Sequence, residues 1–133
     1  MIKKEKPNLC AVIFDEPDHV GHADGHDTPA YYKKLKELDG YVGQIVAAVK
    51  EAGLLEETIF IVTADHGGIE KGHGGKTMKE METAFIIAGK NVKKGFNFTE
   101  SMMQFDCAST IAYIFALEQP QVWIGRPMYQ VFK

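Results

Sequence analysis

A chain of 133 residues has room for one hydrophobic core, and 45% apolar with 25% charged residues is the composition of a folded domain. A net charge of −3 offers no basic face to a polynucleotide, and two cysteines without CxxC spacing, Cys10 and Cys107, point to neither a disulfide framework nor a thiolate zinc site. No apolar run approaches the roughly 18 residues that cross a bilayer, and residues 1–7 lack the apolar stretch of a signal peptide, so any export signal is expected on whatever precedes this segment in a larger protein.

In chain order, residues 9–14 (LCAVIF) form a nearly continuous apolar run, which predicts a strand buried on both faces. Asp27, Thr28 and Pro29 then open a helix expected to run to about Ala52, with Gly53 as its stop. Its apolar stripe comprises Leu35, Leu38, Val42, Ile45, Val46 and Val49. Two further runs, 58–63 (TIFIVT) and 83–88 (TAFIIA), read as core strands. A second helix is expected from near Asp106, whose carboxylate can cap its first turn, to Leu117 before Pro120. Strand, helix and strand in this order imply a right-handed crossover. The expectation is therefore one α/β domain over residues 1–133, a mostly parallel sheet flanked by helices. Three strands are thin for such a sheet, so further strands are expected elsewhere in a larger protein.

All five histidines fall in two clusters, each following a predicted strand, where open α/β sheets place their ligands. The first holds Asp18, His19, His22, Asp24, His26 and Asp27; the second holds Asp65, His66 and His73. Carboxylates and neutral imidazoles suit catalytic zinc, or manganese or iron where oxygen ligands dominate. Glycines at 21, 67, 68, 72, 74 and 75 allow the tight turns that bring side chains from separate segments together. Five residues stand out as ligands, Asp18, His22, Asp65, His66 and His73, enough for one three-residue set and one partial set. His19 and His26 flank the cluster and are expected to be solvated. Asp24 is open between ligand and solvated carboxylate, and Asp27 is expected to cap the following helix.

The segment FDEPDHVGHADG resembles the EPDxxGHxxG motif of the nucleotide pyrophosphatase/phosphodiesterase family, and TADHGG resembles the DHG element of the wider alkaline phosphatase superfamily. FDCASTIAYIFAL followed by Trp123-Ile124-Gly125-Arg126-Pro127 is similar to the ending of sulfatase-like and phosphodiesterase members. The resemblance implies an alkaline phosphatase-like core, here its C-terminal half, with Asp18, His22 and His73 holding one zinc and Asp65 and His66 part of another. A further aspartate and the serine or threonine nucleophile are implied to precede this segment, so no residue here matches those roles. The short interval between His66 and His73 resembles sulfatases and phosphoethanolamine transferases more than nucleotide-cleaving members.

What the resemblance implies is a metal-dependent phosphoester hydrolase of the phosphodiesterase or nucleotide pyrophosphatase type, with two zinc ions clamping the phosphoryl group. The chain alone is expected to bind one zinc or fewer, with manganese as the alternative metal, and to be inactive. Its expected partners are a small phosphoester and the N-terminal half of the catalytic domain, and its implied compartment is periplasmic or otherwise extracytoplasmic. Two alternatives remain: a sulfatase or phosphoethanolamine transferase relative, and a non-catalytic metal-binding module that pairs with a separate N-terminal half.

Overall fold

The computed structural model describes Met1–Lys133 and opens with a single helical turn, α1 (Ile2–Glu5). The expected strand at 9–14 does not form: no ladder partner is present, and Leu9, Val12 and Ile13 are 62%, 49% and 86% exposed. A strand needs a neighbour for its N–H and C=O groups, and apolar continuity alone does not supply one.

Helix α2 (Asp18–Asp24) follows from the Glu16-Pro17-Asp18 sequence. Pro17 at the N-cap has no side-chain acceptor. Glu16 takes that role instead, its Oε2 accepting the Val20 N–H at 3.2 Å. The helix stops at Gly25, whose φ of 102° disfavours any side chain.

Helix α3 (Pro29–Glu51) has proline in its first turn as expected, but Thr28 and not Asp27 is the cap: Thr28 Oγ1 accepts the Tyr31 N–H at 3.3 Å. Asp27 instead accepts the Tyr32 hydroxyl. At the other end Gly53, φ 74°, donates to Lys50 O at 3.0 Å, while Leu54 N–H donates to Val49 O at 3.1 Å. These two bonds satisfy orphan carbonyls of the last turn. Val49 is the buried residue of the helix, and α1 and α2 both pack against α3. No helix is long and apolar enough to cross a membrane.

Strand β1 (Ile59–Thr63) pairs with β2 (Phe85–Gly89). They run antiparallel, so the expected mostly parallel sheet is not what these residues form. With 9–14 unpaired there is no crossover for α3 to make, and the connection between β1 and β2 returns the chain alongside itself. That connection carries α4 (Met78–Met81).

The chain divides into two compact units, Met1–Thr58 with Val62–Ile86, and Ile59–Ile61 with Ile87–Lys133. The second contains α5 (Asp106–Ile114), three residues shorter than expected, and a 3-10 turn at Tyr129–Val131. Its core comprises Val92, Ala112, Met128 and Val131. Asp106 is buried there and does not cap its own helix: Oδ2 accepts the Met103 N–H and Oδ1 the Arg126 N–H, both at 2.8 Å. Thr110 Oγ1 donates to Asp106 O at 2.7 Å and accepts the Met128 N–H at 3.1 Å. The Gly125-Arg126-Pro127 sequence is thus read by its backbone.

Candidate metal centre

Every residue of the two histidine clusters lies in the first unit. Asp18 and His22 were expected to follow directly on a strand at 9–14. They stand instead one helical turn apart on α2, where a four-residue spacing puts two side chains on one face. His22 Nδ1 lies 2.9 Å from Lys71 O. A carbonyl only accepts, so Nδ1 carries the hydrogen and the Nε2 lone pair of the neutral ring turns to the cluster.

There His22 Nε2 stands 3.2 Å from His73 Nε2. Asp18 closes the triangle, its Oδ2 3.5 Å from His22 Nε2 and its Oδ1 3.5 Å from His73 Nε2. One ligand atom from each of the three residues lies within 4.8 Å of the others. Donors about 2.0–2.1 Å from a tetrahedral zinc are about 3.3 Å apart, so the observed edges fit one ion bound by three protein groups. Asp18 Oδ1 is buried with no hydrogen-bond partner, which is the condition of a carboxylate oxygen shaped for a cation. The Tyr31 phenol is held above its ordinary pKa by burial first and by the Asp18 charge second.

Asp65 and His66 stand beside this triangle without completing a second one. The Asp65 side chain is 87% exposed, its Oδ1 accepts the His66 N–H at 3.2 Å, and its Oδ2 is 3.7 Å from His66 Nε2. His66 Nδ1 donates to Gly67 O at 2.8 Å, and its ring stacks on His73 with centroids 3.7 Å apart. The pair offers two oriented ligand atoms.

The loop behind His73 is held by Glu80. Its Oε1 accepts the Gly75 N–H at 2.8 Å, and its Oε2 accepts the Thr77 hydroxyl at 2.6 Å and the Thr77 N–H at 3.3 Å. These bonds, the Thr77 hydroxyl first, hold the Glu80 carboxyl below its ordinary pKa. Sequence reasoning passed over Glu80, although Thr77-x-x-Glu80 is the spacing of a capping box. His26 was expected to be solvated. It is half-buried, its ring wedged beside Gly21 and Gly68 and its Nδ1 donating to Glu70 O at 3.1 Å. His19 and Asp24 are exposed.

The family described as type I phosphodiesterase / nucleotide pyrophosphatase matches residues 1–107. GPI ethanolamine phosphate transferase 2 of Aspergillus oryzae is 34% identical over 71 residues, 53% of this chain and 8% of that protein. The human GPI ethanolamine phosphate transferase 2, catalytic subunit, is 27% identical over 120 residues, 86% of this chain and 12% of that protein. Human ectonucleotide pyrophosphatase/phosphodiesterase family member 5 is 33% identical over 64 residues, 48% of this chain and 13% of that protein. The chain therefore spans about a tenth of the length of these curated relatives. No solved structure matches.

Proposed function

Because this chain belongs to the type I phosphodiesterase / nucleotide pyrophosphatase family, we propose that it supplies the ligands of a zinc centre in a phosphoester hydrolase. The single observation that carries the reading is the triangle of Asp18, His22 and His73, with edges of 3.2, 3.5 and 3.5 Å. A bound zinc would polarise a phosphoryl oxygen and neutralise the charge that develops there. Asp18 brings the negative charge that favours a dication over a neutral guest. Lys71 O holds the His22 ring with its lone pair inward, so the ligand need not reorient on binding. Asp65 and His66 are proposed as part of a second ligand set.

The attacking group is proposed to come from outside these residues. In the unit that holds the triangle there is no serine, and the hydroxyls of four of its five threonines, Thr28, Thr58, Thr63 and Thr77, are turned to Gly25 O, Leu54 O, Ala64 O and the Glu80 carboxylate. The chain alone is therefore expected to bind metal and not to turn over.

A second reading, transfer of phosphoethanolamine instead of hydrolysis, is favoured by the reach of the similarity to the human GPI ethanolamine phosphate transferase, which covers 86% of the chain. The short interval from His66 to His73 points the same way. Assaying a longer protein that contains this sequence on a nitrophenyl phosphodiester, a nitrophenyl sulfate and an ethanolamine phosphate donor separates hydrolase, sulfatase and transferase.

Zinc titration of the 133-residue chain tests the centre itself. The expected result is about one equivalent or less, chelator-reversible, lost in Asp18→Asn and in His73→Ala. A zinc content untouched by both substitutions would overturn the reading.

A further inference from the structure

We propose that His26 is a positioning residue that clamps α2 to the turn at 69–72 and thereby sets how far Asp18 and His22 stand from His73; the inference rests on the metal-binding reading above. The turn is tight. Ile69 and Gly72 exchange both backbone hydrogen bonds at 3.0 Å, leaving Glu70 and Lys71 at the tip, and Glu70 sits at φ 52°. A non-glycine residue in that left-handed region is strained and persists where its surroundings hold it.

What holds it is His26. Its N–H donates to Glu70 O at 2.6 Å, and its Nδ1–H donates to the same oxygen at 3.1 Å. The next carbonyl, Lys71 O, receives His22 Nδ1–H at 2.9 Å. Two successive carbonyls at the turn tip are thus gripped by two histidines four positions apart, one on α2 and one just beyond it. The turn cannot swing without releasing both.

The His26 ring also serves as a spacer. A methyl on Gly21 would come within 2.5 Å of its Nε2, and a methyl on Gly68 would come closer still. The ring fills the slot between the helix that carries Asp18 and the segment that carries His66, with the Tyr31 ring 5.2 Å away on a third side. Glycine at both walls is what lets the slot be one imidazole wide. The 3.5 Å reach from Asp18 to His73 is then a consequence of that width and of the carbonyl grip.

The test uses the whole chain and compares wild type with His26→Ala, His26→Asn, Gly68→Ala and the double variant His26→Ala/Gly68→Ala. Zinc dissociation constants come from competition with a chromophoric chelator, and the visible spectrum of the cobalt-loaded protein reports tetrahedral geometry. His26→Ala keeps the main-chain bond to Glu70 O but removes the ring, and with it the Nδ1 bond and the spacer, and is expected to weaken zinc binding about tenfold or more, as loss of a supporting partner does. His26→Asn, which keeps a donor for Glu70 O, is expected to recover part of that loss. Gly68→Ala is expected to weaken binding in the wild-type background and to add nothing once the ring is gone, a non-additivity that a general folding defect would not produce. Hydrogen exchange at 69–72 in chelator-treated protein supplies a metal-free readout, expected to accelerate in His26→Ala. Wild-type affinity and cobalt spectrum in His26→Ala, or unchanged exchange at the turn, would overturn the clamp. Absence of zinc binding by wild type would instead overturn the metal reading, and the exchange data would still decide whether His26 holds the turn.

Discussion

His22 and Lys71 are joined by a 2.9 Å hydrogen bond from the imidazole Nδ1 to a main-chain carbonyl, across 49 positions of sequence. One bond therefore ties the helix bearing two of the three cluster residues to the segment bearing the third, and fixes which ring nitrogen is free to bind. The Lys71 side chain adds a separate tie, Nζ donating to Ala23 O at 2.7 Å.

Because the carbonyl, not the ammonium, orients His22, Lys71→Met is expected to change zinc affinity by no more than about threefold, the scale of an exposed substitution. His22→Asn keeps an N–H near Nδ1 for Lys71 O and removes the ligand atom. It is expected to melt within a few degrees of wild type and to lose zinc binding. Calorimetric titration of both variants checks the contrast.

The carboxyl of Glu80 has its pKa lowered from 4.5 by the Thr77 hydroxyl and the Gly75 N–H. A depressed folded-state value means that its contribution is fully present above the unfolded pKa and is lost as pH falls through the folded one. Wild type is thus expected to lose stability below about pH 4.5 more steeply than Glu80→Gln. Thermal melts of the two from neutral pH down into the acid range measure the difference, and parallel curves would dismiss the role of Glu80.

Gly67 lies against the backbone of α4, where a methyl would meet the Lys79 carbonyl oxygen and come within 2.8 Å of Glu82 O. Backbone does not step aside as a flexible side chain does. Gly67→Ala is expected to destabilise the chain by about 1–3 kcal/mol, measured by denaturant unfolding.

Asp106 and Ser109 make a contrasting pair in the second unit. Asp106 is buried with both oxygens accepting backbone N–H groups, whereas Ser109 is 1% exposed with its hydroxyl unpartnered. Asp106→Ala strands two donors and is expected to cost about 2–4 kcal/mol, while Ser109→Ala removes an unpaired polar atom and is expected to be neutral or stabilising by up to about 1 kcal/mol. Equilibrium unfolding of both variants reads the two signs.

Much of the fold was legible one segment at a time. The stripe from Leu35 to Val49, proline at the start of α3 and Gly53 at its end are local instructions, and the helix follows them closely, although Leu35 itself is left exposed. The runs at 58–63 and 83–88 became β1 and β2 because each found the other. The run at 9–14 carries the same local pattern and stays exposed, because strand formation depends on a partner that the pattern does not contain.

The sequence by itself determined which residue types could grip a cation and that Asp18, His22, Asp65, His66 and His73 were the ones to watch, since carboxylate and imidazole chemistry is written in side-chain identity. Tertiary structure alone decided that Asp18, His22 and His73 meet while Asp65 and His66 stand aside, and that His26 is packed and not solvated. The reason is distance. Capping and periodicity act over a few residues and can be read from neighbours, whereas the contacts that aim His22 and seat His26 join positions 44 and 49 apart, and only the folded chain brings those together.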